Sequence, residues 1–447
     1  MSRPVARARS FAWLGASTAA GGAIGFARSV VVVRALGVAD YGVFGVLAAT
    51  SAICANAVDL RLSDLTTRLY YEPLPVEERS AWRGGLLVAA FCVQAALALL
   101  LFGLIVAALP LILRFFPGAS VPLAALLLFA AGESAHYASK ILLFTLRFSE
   151  RFGALAAIQL VATAIRAAIV VAAVGIRPDL GGLAAGLALA GVGVAAFLGV
   201  TALSFWGRLG LTASGADVRR ALRAILASWR SLVAFNALNY QNLLHRAADV
   251  LVVGLVGGER AAGLYKLART ATDALYVVYD VAGKVLQPAL MRLLQEGRRR
   301  RFRAAALRVT ALAGGGVAVL VVGEVLALDH MLRWVYGPAF AGAWASIVWL
   351  TLPLFFVAGV QVWAWPWILH RGGVTAFVGT AVAAVALGQY GLGLGGYLLD
   401  PAGRVAWFAA GYAAVYPLLY AGLWRRLSPA LAEGLTAEAR APLAGAA

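Results

Sequence analysis

Residues 263–288 form a segment long enough to cross a membrane, yet it carries a regular series of charged and polar side chains. These side chains are Lys266, Arg269, Asp273, Tyr276, Asp280 and Lys284. At 3.6 residues per turn, all of them fall within an arc of roughly 80° on one helix face. Because a charge near the bilayer centre costs at least about 2.5–3.5 kcal/mol, this face is predicted to point to protein or to a water-filled cavity. Two compatible interpretations stay open: a ladder of salt bridges between residues four apart, and the charged wall of a transport cavity.

Polar side chains in the other apolar segments extend this pattern, and the excess charge is positive. The candidate substrate-binding cations are Arg28, Lys140, Arg166, Arg246, Lys266, Arg269 and Lys284. The candidate polar or coupling residues are Asp59, Glu133, Asn239, Asn242, Asp249, Asp273 and Asp280. Since Arg and Lys hold phosphate through charge-assisted hydrogen bonds, the set predicts a cavity for an anionic solute rather than for a cationic drug. Lys140 and Lys284 also fit positions from which lysines extend to the membrane surface.

An alternative role for some of the acidic residues is ion coupling. Asp59 or Glu133 is a candidate site for a coupling ion, either H⁺ or Na⁺. We expect no other cofactor and no metal centre, because Cys54 and Cys92 have neither metal-ligand spacing nor the pattern of a disulfide framework.

Composition identifies the environment in which these residues act. Of the 447 residues, 62% are hydrophobic and only 13% charged, and the mean hydropathy is +0.85. Those values are typical of a polytopic, all-α membrane protein. The net charge of +18 comes from basic residues in short segments between apolar spans. The positive-inside rule explains that distribution without a nucleic-acid partner.

About twelve membrane spans are predicted, at residues 11–33, 42–60, 84–109, 121–143, 153–175, 181–206, 231–256, 263–288, 309–328, 343–368, 374–398 and 405–424. They divide the chain into a six-helix N-terminal lobe (1–207), a cytoplasmic linker (208–230), a six-helix C-terminal lobe (231–426) and a cytoplasmic tail (427–447). Within the linker, residues 217–229 are predicted to form an amphipathic surface helix. If both termini lie in the cytoplasm, about 25 of the 38 Lys and Arg residues fall in cytoplasmic segments. Because positive charge concentrates on the cytoplasmic side, this count favours an orientation with both termini inside.

An internal repeat supports the division into two lobes. Gly37 and Gly42 have the same spacing as Gly258 and Gly263, and each second glycine is followed by an aliphatic and an aromatic residue. At nearly the same offset, residues 113–118 (LRFFPG) match residues 332–337 (LRWVYG). Because each lobe has an even number of spans, the repeat predicts a pseudo-twofold axis along the membrane normal with a site between the lobes.

The chain resembles a known family in the order and spacing of several short motifs. Residues 34–44 (RALGVADYGVF) follow the first span, and residues 249–257 (DVLVVGLVG) precede 263–268 (GLYKLA). Further matches are Gln287-Pro288 and residues 336–340 (YGPAF). These motifs resemble those of the Wzx-type polysaccharide flippases of the MOP (multidrug/oligosaccharidyl-lipid/polysaccharide) superfamily, over nearly the whole chain.

The resemblance implies a V-shaped, MATE-like transporter that works by alternating access. It implies transfer of undecaprenyl-pyrophosphate-linked oligosaccharide from the inner to the outer leaflet of a bacterial cytoplasmic membrane, through a cationic central cavity. The partners implied are the glycolipid, membrane lipids and a polysaccharide polymerase, and we expect a monomer. A multidrug or organic-cation exporter of the same superfamily and a lipid II flippase are alternatives.

Catalytic function is a weaker alternative. A membrane glycosyltransferase or polymerase needs a large outer loop or paired catalytic carboxylates, and the sequence has neither feature. It also contains no Walker A, HExxH or nucleophile-elbow motif. The sequence therefore predicts a protein that is not an enzyme.

Overall fold

The structure is a computed structural model, and it describes residues 3–60, 62–72, 75–116, 121–147, 152–208, 210–228, 248–370, 374–399 and 405–422. Throughout these residues the regular elements are helices, and no strand is present in them. Eight helical segments of the described residues, two of which run through several consecutive helical elements, are long and apolar enough to cross a membrane. The predicted fold class, an all-α polytopic membrane protein, is confirmed.

Fourteen helices are named here in chain order. The first seven are α1 (Arg3–Val58), α2 (Leu62–Tyr70), α3 (Val76–Leu113), α4 (Leu123–Arg147), α5 (Phe152–Ile176), α6 (Leu180–Arg208) and α7 (Gly215–Ala227). The others are α8 (Ala248–Gln295), α9 (Arg299–Val335), α10 (Trp344–Thr351), α11 (Val362–His370), α12 (Val374–Ala384), α13 (Gly393–Leu399) and α14 (Val405–Gly422). A 3₁₀ turn (Pro338–Ala343) precedes α10, and π-helical segments follow α10 (Phe355–Gln361) and α12 (Val385–Leu392).

Helices cover every predicted span except most of 231–256, since residues 229–247 lie outside the described part of the chain. The chain forms two compact units. The N-terminal unit contains Met1–Val278 and Asp329–Gly342, and the C-terminal unit contains Tyr279–Leu328 and Ala343–Ala447. The lobe boundaries expected from the sequence stay a prediction.

Two glycines break the longest helices at equivalent positions of the repeat. Gly37 in α1 has φ 72° and ψ −179°, and Gly258 in α8 has φ 77° and ψ −175°. This backbone region is essentially restricted to glycine. Each of these helices is therefore two helices joined by a sharp turn.

The turn at Gly258 reverses the direction of the chain. The side chains of Asp249 and Arg269 approach to 3.4 Å, although in a straight helix twenty residues span about 30 Å. The two parts of α8 therefore pack side by side as a helical hairpin.

The second glycine of each repeat lies at a close crossing of backbones inside the N-terminal unit. A Cβ atom added to Gly42 would lie 1.8 Å from the carbonyl oxygen of Glu259, and one added to Gly263 would lie 2.1 Å from that of Val38. The two contacts are related by the same offset as the sequence repeat. The glycine motif thus marks a locally twofold-symmetric contact between α1 and α8, which confirms the repeat there.

Small residues also permit close packing of the other helices of the N-terminal unit. Its more extensive helix contacts include those of α4 with α6, α1 with α5, α5 with α6, and α3 with α4 and α7. A Cβ atom on Gly191 would lie 2.5 Å from the carbonyl oxygen of Gly132, so α6 crosses α4 at backbone distance. Such contacts through small residues are the usual means by which helices associate in membranes.

The amphipathic helix predicted in the linker is present as α7. Ser214 caps it: its hydroxyl accepts a hydrogen bond from the Asp217 amide, and the Asp217 carboxylate accepts one from the Ser214 amide. Ala221 and Ile225 are buried against a cluster that includes Leu86 of α3. Hydrogen bonds from the Ser214 hydroxyl and amide lower the pKa of Asp217, so the cap is intact at neutral pH and weakens as pH falls through that lowered pKa.

The C-terminal unit buries a small core and exposes a long apolar helix. Leu290, Leu294, Phe302 and Val362 pack together where the end of α8 meets the start of α9 and α11. Further along α9, Leu312 is 77% exposed and Leu326 is 80% exposed. An apolar helix with this exposure faces lipid.

Candidate functional site

The polar stripe on α8 contains a buried ion pair. Arg269 is 2% exposed, and its Nε lies 3.4 Å from Oδ2 of Asp249, which is fully buried. The same carboxylate accepts hydrogen bonds from the Tyr265 hydroxyl (2.9 Å) and the Val250 amide (2.7 Å). These contacts satisfy Asp249 through the second half of the hairpin and its own first turn. For Arg269 the structure therefore favours the salt-bridge interpretation over the cavity-wall interpretation.

The predicted pairing of Arg269 with the acid four residues later is the weaker contact. Arg269 lies 3.8 Å from Asp273, whose side chain is 53% exposed. The stripe thus changes from a packed pair at Arg269 to an accessible carboxylate one turn further on. The side chains of Asp280 and Lys284 lie outside the described residues.

We expect Arg269→Met to lower the free energy of unfolding by about 3–5 kcal/mol, because it leaves the Asp249 carboxylate buried without its cation. The double variant Asp249→Asn, Arg269→Met removes both charges and should recover much of that loss. Thermal unfolding of the purified protein in detergent measures both effects. Wild-type thermal stability of the single variant would contradict a structural role for the pair.

Three half-buried basic side chains, Arg28, Arg166 and Lys266, are here called the cationic cluster. They come from α1, α5 and α8 of the N-terminal unit, and the side chain of Glu133 on α4 interacts electrostatically with Arg28 and Lys266. Arg28 also feels the repulsion of Arg166. The structure therefore brings together predicted residues from four helices that are distant in sequence.

The cluster holds more positive than negative charge. Glu133 pairs with Arg166 at 3.3 Å, and both side chains are about a quarter exposed. Within the described part of the chain, neither Arg28 nor Lys266 forms a salt bridge. The Glu133 carboxylate thus pairs with one member of the cluster, while Lys266 is attracted mainly by Asp273 without a salt bridge to it.

Packing around Lys266 explains its position. A Cβ atom added to Gly45 would lie 3.0 Å from Cβ of Lys266, so the glycine makes room for the lysine stem. In the repeat, Gly45 and Lys266 are equivalent residues. Nearby, the hydroxyls of Tyr41 and Thr270 lie 3.3 Å apart and join α1 to α8. One copy of the repeat therefore supplies the charge and the other supplies the space for it.

Two further predicted site residues, Lys140 and Asp59, lie in the described part of the chain. Lys140 is exposed, and its ammonium group lies 4.9 Å from the centre of the Tyr137 ring, a cation–π contact. Asp59 follows the last turn of α1, and its amide donates to the carbonyl of Ala55. Arg246, Asn239 and Asn242 lie in the part of the chain that the structure does not describe. Their roles stay predictions.

Two further residues, Tyr265 and Gly45, complete the site, and the sequence pattern does not identify them. The hydroxyl of Tyr265 donates a hydrogen bond to Asp249. The sequence hints at this role only through the repeat, where the equivalent residue, Phe44, has no hydroxyl. Gly45 cannot be recognised as a site residue from the sequence, because it contributes no side chain and only leaves room for the stem of Lys266. Both become evident only when the two repeats are placed in contact.

Comparison with known proteins adds evidence on the fold. No family model matches the chain, and no curated protein matches it. A solved structure described as an inward-facing multidrug resistance MATE family transporter of the MOP superfamily has 13% identity to it and a TM-score of 0.65, over 91% of this chain and 94% of that one. The eukaryotic MATE transporter AtDTX14 has 13% identity and a TM-score of 0.57, over 95% of this chain and 96% of that one. The MATE multidrug transporter DinF-BH has 14% identity and a TM-score of 0.54, over 94% of this chain and 96% of that one.

The helices and these similarities together define a multi-pass, all-α membrane protein. Its fold is that of the MATE transporters of the MOP superfamily.

Proposed function

We propose that this protein is a transporter that moves an undecaprenyl-pyrophosphate-linked oligosaccharide from the inner to the outer leaflet of a bacterial cytoplasmic membrane. The observation that carries the proposal is the cationic cluster, in which Arg28 and Lys266 face the interior of the N-terminal unit without forming a salt bridge among the described residues. Cations at membrane depth mark ion or substrate pathways.

The chemistry of the ligand follows from the chemistry of the cluster. Guanidinium and ammonium groups bind phosphate oxygens through strong charge-assisted hydrogen bonds. A sugar pyrophosphate cannot cross hydrocarbon alone, because its charges would lose their solvation without gaining partners. Arg28 and Lys266 replace that solvation in part. Each negative charge that moves outward gains about 2.3 kcal/mol per 100 mV of inside-negative potential, so the direction of export is favourable.

The accessory roles follow from the same proposal. Glu133 pairs with Arg166, so a change in its protonation would change the charge offered to the ligand. This makes Glu133 the better placed of the two candidates for H⁺ or Na⁺ coupling. We propose a monomer with both termini in the cytoplasm, and a polymerase that uses the exported glycan. Lipid II carries the same pyrophosphate and would fit the same cluster.

A second candidate is a multidrug exporter. Two observations favour it: Asp273 is a half-exposed carboxylate beside Arg269, and the similar solved structures include multidrug transporters. A cationic drug would bind a carboxylate and be repelled by Arg28 and Lys266. The sign of the preferred ligand therefore separates the two candidates.

We expect the purified protein to bind an undecaprenyl-pyrophosphate glycan, with an affinity that falls as salt is raised because the contact is ionic. A cationic dye should not compete for the same site. Microscale thermophoresis with a labelled glycolipid, repeated with an excess of dye, measures both properties. Tight dye binding without glycolipid binding would reject the flippase and favour the exporter.

A further inference from the structure

The C-terminal unit contains an acid on a helix that faces lipid. Glu324 lies on α9, where Val319 and Leu326 on either side of it are 73% and 80% exposed. Its carboxyl group is directed to protein instead. Oε1 lies 2.8 Å from the hydroxyl oxygen of Thr351 at the end of α10, and Oε2 is buried. An ionisable residue in such a segment is costly to keep, which makes it a candidate for function.

No cation balances Glu324 among the described residues, where it forms no salt bridge. Residues 338–361, which include α10 and the π segment after it, contain no ionisable side chain. The ionisable residues of α14 are its tyrosines, Tyr412, Tyr416 and Tyr420. On α9 the next charges are Asp329 and Arg333, which pair with each other at 2.8 Å, with an exposed His330 between them. An ionised Glu324 would therefore be a charge without a counter-charge in an apolar setting.

The contacts of Thr351 indicate that Glu324 carries a proton. The Thr351 hydroxyl oxygen lies 2.8 Å from Oε1 of Glu324 and 3.0 Å from the carbonyl oxygen of Ile347. A hydroxyl has a single hydrogen, so it can donate fully to only one of these two acceptors. In a neutral Glu324, the carboxyl O–H donates to Thr351, and Thr351 donates to Ile347. The protonated acid thus makes a full hydrogen bond of both contacts.

The second carboxyl oxygen supports the same state. Oε2 of Glu324 is buried and has no hydrogen-bond partner in the part of the chain that the structure describes. A carboxylate shares its charge between both oxygens, and leaving half of that charge without a partner is costly. In the neutral acid this atom is an uncharged carbonyl oxygen, for which the cost is smaller.

The internal repeat shows that helix packing alone does not require an acid here. Glu324 precedes Leu332 of the repeated motif by eight residues, and the residue eight before Leu113 is Ile105. Ile105 is fully buried. One copy of the repeat therefore packs an apolar side chain where the other copy has a carboxyl group.

We propose that Glu324 is a proton-binding site, occupied at neutral pH, whose proton joins α9 to α10 through Thr351. Loss of the proton breaks this bond and leaves a charge that favours separation of the two helices. The proposal holds whichever solute the protein carries.

Infrared spectroscopy of the full-length protein in lipid bilayers at neutral pH tests the protonation state, because the carbonyl stretch of a neutral acid is separate from the bands of a carboxylate. Glu324→Gln keeps the shape and a hydrogen-bond donor, and it should remove one neutral-acid band. Glu296→Gln removes an acid that pairs with Arg298 at 3.2 Å outside the predicted spans, and it should leave that band in place. Thr351→Val keeps the acid but removes its partner, so the band should shift.

Thermal unfolding in detergent over a range of pH tests the role of the proton. The contact contributes stability while the proton is bound, and this contribution is lost as pH rises through the range in which the folded protein releases the proton. The unfolding temperature of the wild type should therefore fall at alkaline pH. Glu324→Gln has no proton to lose there and should lack that part of the fall.

A neutral-acid band that is unchanged in Glu324→Gln would overturn the proposal, because Glu324 would then be ionised at neutral pH. If that variant does not fold, an unshifted band in Thr351→Val overturns it instead. A rise in the wild-type unfolding temperature with Na⁺ at constant pH, absent from Glu324→Gln, would replace the proton by a metal ion. Because no transported solute is used, none of these outcomes bears on the flippase proposal.

Discussion

Gly42→Ala and Gly263→Ala are each expected to abolish the native packing of the N-terminal unit. The added methyl group would lie about 2 Å from a backbone carbonyl oxygen, Glu259 in one case and Val38 in the other. Backbone atoms cannot rotate away as a side chain can, so α1 and α8 must separate. The free energy of unfolding should fall by more than the roughly 1–3 kcal/mol that ordinary overpacking of a core costs. The readouts are the yield of monodisperse protein from membranes and its thermal unfolding in detergent.

The matched control for this prediction is Gly22→Ala in the first half of α1. A Cβ atom at Gly22 would have no neighbour within 4 Å. Since alanine has the higher helix propensity, this variant should be as stable as the wild type or more so. A Gly42→Ala protein that unfolds at the wild-type temperature would show that the two helices do not cross at backbone contact.

Arg28→Gln and Lys266→Gln are the changes with the largest expected effect on ligand binding. Each removes a cation that has no salt-bridge partner in the described part of the chain. Hydrogen bonds to charged groups contribute about 1.5–3 kcal/mol, so each variant should bind the pyrophosphate glycolipid about 10- to 100-fold more weakly. Thermal stability should be retained, because each variant leaves no acid without its cation. Equilibrium binding at several salt concentrations gives the affinity and its ionic component together.

Two controls make this test specific. Lys266→Arg keeps the charge and should keep most of the affinity, whereas Arg177→Gln removes a cation that pairs with Asp179 outside the spans and should change nothing. Unchanged affinity of both Arg28→Gln and Lys266→Gln would place the phosphate elsewhere and leave the cationic cluster without a role in recognition. Arg246 would then be the next candidate for substitution.

Arg269 and Lys266 lie on the same helical stripe but in different surroundings. Both residues lie on the face predicted to avoid lipid, and that prediction agrees with their burial. Their environments differ because of what faces them. Arg269 meets Asp249 across the Gly258 turn, whereas Lys266 meets the space above Gly45. Periodicity predicts the face of a residue, but it does not identify the partner on the opposite helix.

Hydropathy, helical periodicity and glycine spacing are local properties of the chain, so they are enough to predict a membrane protein, nearly all of its helices, the amphipathic α7 and the glycine repeat. The sequence also predicts which helices carry the polar residues. Which charges are neutralised and where two backbones cross emerge only in the folded structure. Those outcomes depend on contacts between residues tens to hundreds of positions apart, and each is set by the turn or crossing that brings its partners together.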